Sequence, residues 1–100
     1  MPLKSVRITE QEIRKLFNDG LYWSRAKQGD LRQILIKEKH PSPPRSSEPI
    51  CTLSQILSYV DATDNEVALV HQYLRPDKTL GASGIPDPKR LLKEDILYFI

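Results

Sequence analysis

The sequence predicts an α+β fold in which an N-terminal helix packs on a three- to four-stranded, mainly antiparallel sheet. Three observations predict it. A capped amphipathic stretch lies near the start, strand-like runs fill the second half, and turn-forming strings separate those runs. The chain has 100 residues, of which 39% are hydrophobic and 28% charged. That suits one modest core rather than two, so residues 1–100 read as a single small domain.

The helix comes first. Thr9 followed by Glu12 forms a capping box, with Ile8 and Ile13 placed as a hydrophobic staple. Ile13, Leu16 and Phe17 share one helical face, and Gly20 is placed to end the helix in a left-handed conformation, with Leu21 folding back on Leu16. The spacing predicts a helix from about Glu10 to Asp19. Tyr22 and Trp23 follow as aromatic anchors between helix and sheet, and Ala26 to Asp30 read as a polar turn. Trp23 beside basic residues could also stack on a base, but a ring so close to a helix end is more often core.

Leu31 to Lys39 is ambiguous, because Leu31, Ile34 and Leu35 fit helical spacing with Asp30 as a cap. The β-branched Ile34 and Ile36, and the prolines that follow, favour a strand. A proline-rich loop at about 40–50, HPSPPRSSEP and onward, then carries four prolines that supply no backbone donors. Such a tract can be an extended docking ligand, although a rigid excursion between strands is the simpler reading. Leu53 to Val60, the turn-rich string from Asp61 to Asn65, and Glu66 to Arg75 make a hairpin. Val67, Leu69, His71 and Tyr73 would share one face of a central strand covered on both sides at its start. Pro76 to Lys78 open a turn, Ile85 to Pro88 cannot sit inside a ladder, and Leu91-Leu92 with Ile96 to Ile100 flank a last turn. An apolar C-terminal edge strand would be open to pairing, so a monomer or weak dimer is expected.

Composition excludes several classes of function. No apolar run reaches the ~18 residues of a membrane span, and the first residues lack the pattern of a secretory signal, so a cytoplasmic, non-membrane protein is expected. The single cysteine, Cys51, cannot form an internal disulfide. It could act as a nucleophile with His40 or His71, but a lone thiol is far more often a small hydrophobe. His40 and His71 share no ligand spacing, so no metal and no cofactor are expected. With 15 basic against 13 acidic residues, net charge alone does not argue for nucleic acid.

The information-dense stretch is His71 to Arg90, HQYLRPDKTLGASGIPDPKR. A strand there feeds a loop shaped by glycine and proline, the kind of scaffold-held loop on which binding chemistry concentrates. Tyr73, Arg75, Ser83, Lys89 and Arg90 are the candidate anion- or partner-binding residues, with Gly81 to Gly84 permitting close backbone approach. His71 is the candidate for proton transfer. The same stretch resembles a family of small bacterial proteins sharing the pattern H-Q-Y-L-R-P-D-x-x-x-G-x-S-G-x-P-D-P-K, which here runs from His71 to Lys89. Lys37 to Pro41 and Ser54-Gln55 belong with the resemblance, and Lys78 stands where the family often has glycine. The resemblance implies a single domain and brings no activity with it.

No complete catalytic constellation is present, so the leading expectation is a non-enzymatic binding or interaction module whose partner is protein or RNA. The alternative is a ribonuclease-toxin-like enzyme or a nucleic-acid-binding protein using the sheet face and the His71–Arg90 block. That alternative rests on layout alone.

Overall fold

The computed structural model describes residues 4–39, 49, 51–81 and 83–100. The chain runs β1 (Lys4–Arg7), α1 (Glu10–Asp19), α2 (Tyr22–Gln28), β2 (Arg32–Lys39), β3 (Leu53–Val60), β4 (Glu66–Leu74), β5 (Asp87–Lys93) and β6 (Ile96–Phe99). The expected proline-rich loop at 40–50 lies, apart from Pro49, outside the described residues. The α+β class holds, but the expected three to four strands are an undercount. The sheet has six strands in the order β1-β6-β5-β4-β3-β2 and is mixed: β1 runs parallel to β6, and every other pairing is antiparallel. Strand β1 escaped the sequence because four residues carry too little alternation to register.

Helix α1 forms as its caps dictate. Thr9 Oγ1 accepts from the Glu12 amide at 3.1 Å, and the Glu12 carboxylate accepts from the Thr9 amide at 3.0 Å. The bond from the Thr9 amide, and then the Thr9 hydroxyl beside the carboxylate, hold the Glu12 carboxyl below its usual range. The end of the helix differs from expectation. Gly20 has φ −83°, an ordinary right-handed value, and Leu21 takes the left-handed one (φ 56°). Leu21 is 61% exposed rather than folded back. Glycine is needed at 20 for room: a Cβ there would stand 2.5 Å from the Tyr22 ring and 3.3 Å from the Leu16 carbonyl oxygen.

Helix α2 takes in Tyr22 and Trp23 and runs on to Gln28, through the first half of the turn expected at Ala26 to Asp30. Its seven residues are stabilised from outside, since no side chain caps its N-terminus. Tyr22 and Ala26 face the core, Lys27 Nζ sits 3.9 Å above the Trp23 ring, and the chain ends the helix at Gly29 with φ 90°. Trp23 packs against the core cluster, in keeping with an anchoring ring.

The core lies on one face of the sheet. Ile13 and Phe17 from α1, Tyr22 and Ala26 from α2, and Leu31 meet Leu57, Tyr59, Ala68, Val70 and Leu91. Phe17 stacks on Tyr22 at 5.8 Å between ring centroids and tilts against Tyr59 at 6.3 Å. Burying these rings and aliphatics contributes about 1.5–3 kcal/mol per large side chain. The Tyr59 hydroxyl is the exception. It is buried with no hydrogen-bond partner among the described residues, and burial lifts its pKa to about 12.

The other face differs from the expected central strand covered on both sides. β4 is central, between β3 and β5, but α1 and α2 lie on the side of Ala68 and Val70. Alternation therefore turns Leu69, His71 and Tyr73 to a face on which neither helix packs. Val67 departs from that set: beside the irregularity at Tyr59/Val60, it packs against the core instead.

Two further expectations are corrected. Asp87 and Pro88 do sit in a ladder: Pro88 pairs with Val70 beside a register shift, where no regular amide donor is required. The last hairpin is β5–β6, but β6 is not an edge, because β1 closes over it. The edges are β1 and β2.

Both remaining turns use one device. After β3, the Asp64 amide bonds the Asp61 carbonyl at 3.0 Å and Asp64 takes φ 63°; after β4, the Lys78 amide bonds the Arg75 carbonyl at 2.9 Å and Lys78 takes φ 74°. These are tight turns followed by a left-handed residue, the position glycine favours. The turn around Lys78 thus keeps its shape without glycine and carries the strain.

Two measurements test these points. Tyr59→Phe removes a buried, unpartnered hydroxyl and is expected to stabilise the fold by about 1 kcal/mol in urea unfolding; a loss of stability of that size would show that the hydroxyl has a partner. Lys78→Gly relieves left-handed strain and is expected to raise stability by roughly 0.5–1 kcal/mol in the same assay.

Candidate functional site

The His71–Arg90 block builds a gap in the sheet. β4 and β5 part at the His71–Asp87 pair, and the chain rejoins β4 only where the Gly81 amide donates to the Tyr73 carbonyl at 2.8 Å and Leu80 bridges Leu74. Between these points β4 has no regular neighbour on its β5 side, while β3 stays paired with it on the other. The excursion closes on itself through the Gly84 amide to the Gly81 carbonyl (3.0 Å) and Ser83 Oγ to the Ile85 carbonyl (3.2 Å).

A cleft of about 150 Å³ occupies this gap, lined by His71, Gln72 and Tyr73 from β4, by Gly81, Ser83, Ile85 and Asp87 from the loop, and by Arg14 from α1. A second cleft of about 160 Å³ adjoins it beneath α1, reaching Phe17, Asn18, Pro86 and Pro88 and sharing Arg14, Ser83, Ile85 and Asp87. Asp87 stands between helix and sheet. Its Oδ1 accepts from Arg14 Nε at 3.1 Å and its Oδ2 from Lys89 Nζ at 3.0 Å. Burial pushes its carboxyl upward, but the bonds and charges of Lys89 and Arg14 outweigh this and hold it below the usual range.

His71 is half-buried. Its Nε2 lies 2.8 Å from Ser54 Oγ, and its ring meets Tyr73 edge-on at 4.9 Å. Burial first, and then the positive charge of Lys89, lower its pKa; Asp87 opposes this and Lys39 adds to it. The imidazole is therefore neutral in neutral water. On the helix side of the same strand, Gln72 Nε2 donates to Gln55 Oε1 at 2.8 Å, and Gln55 Nε2 donates to Glu38 at 2.7 Å. This chain locks the side chains of three strands at the cleft's margin.

The sequence-nominated residues divide. His71, Tyr73 and Ser83 meet in the cleft. Lys89 is not in its lining but reaches it through Asp87. Arg90 lies a register step away, where its guanidinium pairs with Glu66 at 2.7 Å, and Glu66 also accepts from Ser58 at 2.7 Å. Arg75 is half-buried beyond the end of β4, its amide bonded to the Thr79 carbonyl at 2.9 Å. Cys51 is exposed, and His40 lies outside the described residues. Among the described residues no group of three or more His, Cys, Asp or Glu gathers as a metal site, and no described helix is long and apolar enough to cross a membrane.

Sequence reasoning missed Arg14, Ser54, Gln72, Lys37 and Lys39. The signal for three of them was alternation across the hairpin, which puts Lys39, Ser54 and Tyr73 in one row and Lys37, Ile56 and His71 in the next. A third row crosses the whole sheet: Ile34, Ser58, Leu69, Arg90, Phe99 and Arg7, with Arg7 6.0 Å above the Phe99 ring. The face without helices thus carries the rings of His71, Tyr73 and Phe99 among exposed Arg7, Lys37 and Lys39. No known protein family, curated protein or solved structure matches the chain.

Because the folded His71 has the lowered pKa, the unfolded chain takes up its proton first as pH falls. Stability from this residue is full above the ordinary pKa of 6.5 and is lost on acidification below it. Thermal melts between neutral pH and pH ~5 should show the wild type losing stability more steeply than His71→Gln. Equal slopes would remove His71 as the source.

Proposed function

We propose that this protein is a non-enzymatic binding module whose helix-free sheet face takes single-stranded nucleic acid. The observation that carries the reading is the combination on that face: three half-exposed rings set among exposed cations whose charge no carboxylate in the same rows cancels. Glu66 is occupied by Arg90 and Ser58, and Asp87 by Arg14 and Lys89. Phosphates attract cations without regard to sequence, and bases stack on rings that are already held in place. His71 and Tyr73 are held by each other and by Ser54, and Phe99 by Arg7, so little side-chain freedom is lost on binding. From Arg7 to Lys37 the face spans six strands, roughly 24 Å at the usual strand spacing, a fitting length for a short oligonucleotide.

The cleft beside this face adds hydrogen-bonding groups within reach of an unstacked base, from Gln72 and Ser83. The Ser54–His71 contact is the one feature that favours the enzymatic alternative, since a neutral imidazole beside a hydroxyl can accept its proton. No third group orients the imidazole among the described contacts.

Binding of a labelled oligouridylate, followed by fluorescence anisotropy across a salt series, tests the proposal. Affinity should fall with salt, and Lys37→Ala with Lys39→Ala should reduce the slope of log K on log salt by about 1.4. Tyr73→Ala should weaken binding about tenfold at fixed salt through lost stacking. The absence of any salt-dependent binding would overturn the reading. Cleavage of the RNA that His71→Ala abolishes would replace it with the enzymatic one.

A further inference from the structure

The amide at the cleft's margin has a fixed polarity. A glutamine side chain can be turned end for end, its oxygen and nitrogen changing places, and only its partners decide which way it sits. Here the decision comes from Glu38 on β2. An ionised carboxylate only accepts hydrogen bonds, so Gln55 gives it Nε2 at 2.7 Å. The Gln55 oxygen is thereby turned to Gln72, which meets it with Nε2 at 2.8 Å. Gln55 is 8% exposed, so the middle of this relay is shut away from water, where a reversed amide would set its oxygen against the carboxylate. What Gln72 keeps for an occupant of the cleft it lines is its carbonyl oxygen, an acceptor, and one N–H.

Size and position narrow the occupant. The cleft holds about 150 Å³. An engineered protein cavity of about 150 Å³ takes one benzene ring. The four residues it shares with the second cleft, Arg14, Ser83, Ile85 and Asp87, make the partition between the two. The Arg14–Asp87 ion pair, 3.1 Å from nitrogen to oxygen, closes that partition. A six-membered ring fits on the near side of it, whereas a fused second ring would have to break the pair. Tyr73 stands both in the cleft's lining and among the rings of the open face. A nucleotide whose phosphate lies on that face can therefore turn its base into the gap between β4 and β5.

We infer that the cleft is the base-reading subsite of the open face and takes one pyrimidine, uracil through its N3–H or cytosine through its amine, with Gln72 Oε1 as the acceptor. The inference rests on the nucleic-acid reading and adds to it a place where the identity of the base matters. Stacking and phosphate contacts tolerate every base. An acceptor locked by Glu38 through Gln55 does not, because a ring edge without a donor leaves that oxygen facing nothing it can bond.

The test is an NMR titration of the full chain with uridine 5′-monophosphate, its 3-methyl derivative and adenosine 5′-monophosphate. It is read at the side-chain amide of Gln72 and the backbone amides of Ser83, Ile85 and Asp87. Uridylate should shift these signals. Methylation at N3 removes the only donor on the ring and should weaken binding about tenfold. Adenylate should leave the signals in place at the concentration where uridylate half-saturates them. Gln72→Met keeps the length of the side chain without its amide, and should bind uridylate and the methylated form equally; if that variant does not fold, the comparison of ligands on the wild type decides alone. Oligouridylate that binds with the expected salt dependence but leaves the Gln72 signal unmoved would overturn the inference and spare the open face. Equal shifts from the three nucleotides, or a methylated ring that binds as well as the plain one, would overturn it too. No binding of either uridylate or oligouridylate would remove both readings.

Discussion

Two short helices cannot cover both faces of a six-stranded sheet, and most of this molecule follows from that mismatch. Helix α1, ten residues and so about 15 Å long, and α2, seven residues, both lie on one side. There they complete a core in which Phe17 touches Tyr22 and Tyr59, and Ile13 and Leu31 are essentially removed from water. Among the described residues nothing comparable is left for the far side. The sheet's outer face must be stabilised by its own side chains, which explains its ladder of paired polar groups and half-buried rings.

On that outer face charge is distributed with economy. Glu66 ties Arg90 to Ser58, and Asp87 ties the helix residue Arg14 to Lys89, so the carboxylates nearest the middle of the sheet are engaged internally. These pairs are partly exposed and contribute modestly to stability. Their larger effect is positional. They fix which cations face solvent, and they set the electrostatic surroundings of His71, where burial and Lys89 together keep the ring neutral.

The gap between β4 and β5 is the second consequence of a local feature. Pro86 lacks an amide donor, and the described residues from Ser83 to Pro86 stay out of the ladder rather than leave bonds unmade. A cleft results where a continuous sheet would have none. The proline positions were plain in the sequence, and what they do to the sheet was half legible: Ile85 and Pro86 stay out of the ladder, whereas Asp87 and Pro88 enter it through a register shift.

The sequence by itself determined α1, whose capping box and apolar spacing act within a few residues, and the strands β3 and β4, whose runs and turn strings are equally local. It also singled out the block that shapes the cleft. Strand β2 it favoured over a helix, and the tertiary structure settled that choice. Other elements only the tertiary structure decided. Strand β1 exists because β6 is there to pair with it, and α2 exists because Tyr22 and Ala26 find a core to enter. Gly20 is glycine because a ring folds against it, not because its backbone turns left-handed. The open face was legible only as alternating residues on separate strands. Which of those residues stand beside one another depends on strand order and register, set by contacts far apart in the chain, as when Arg7 comes to lie over Phe99.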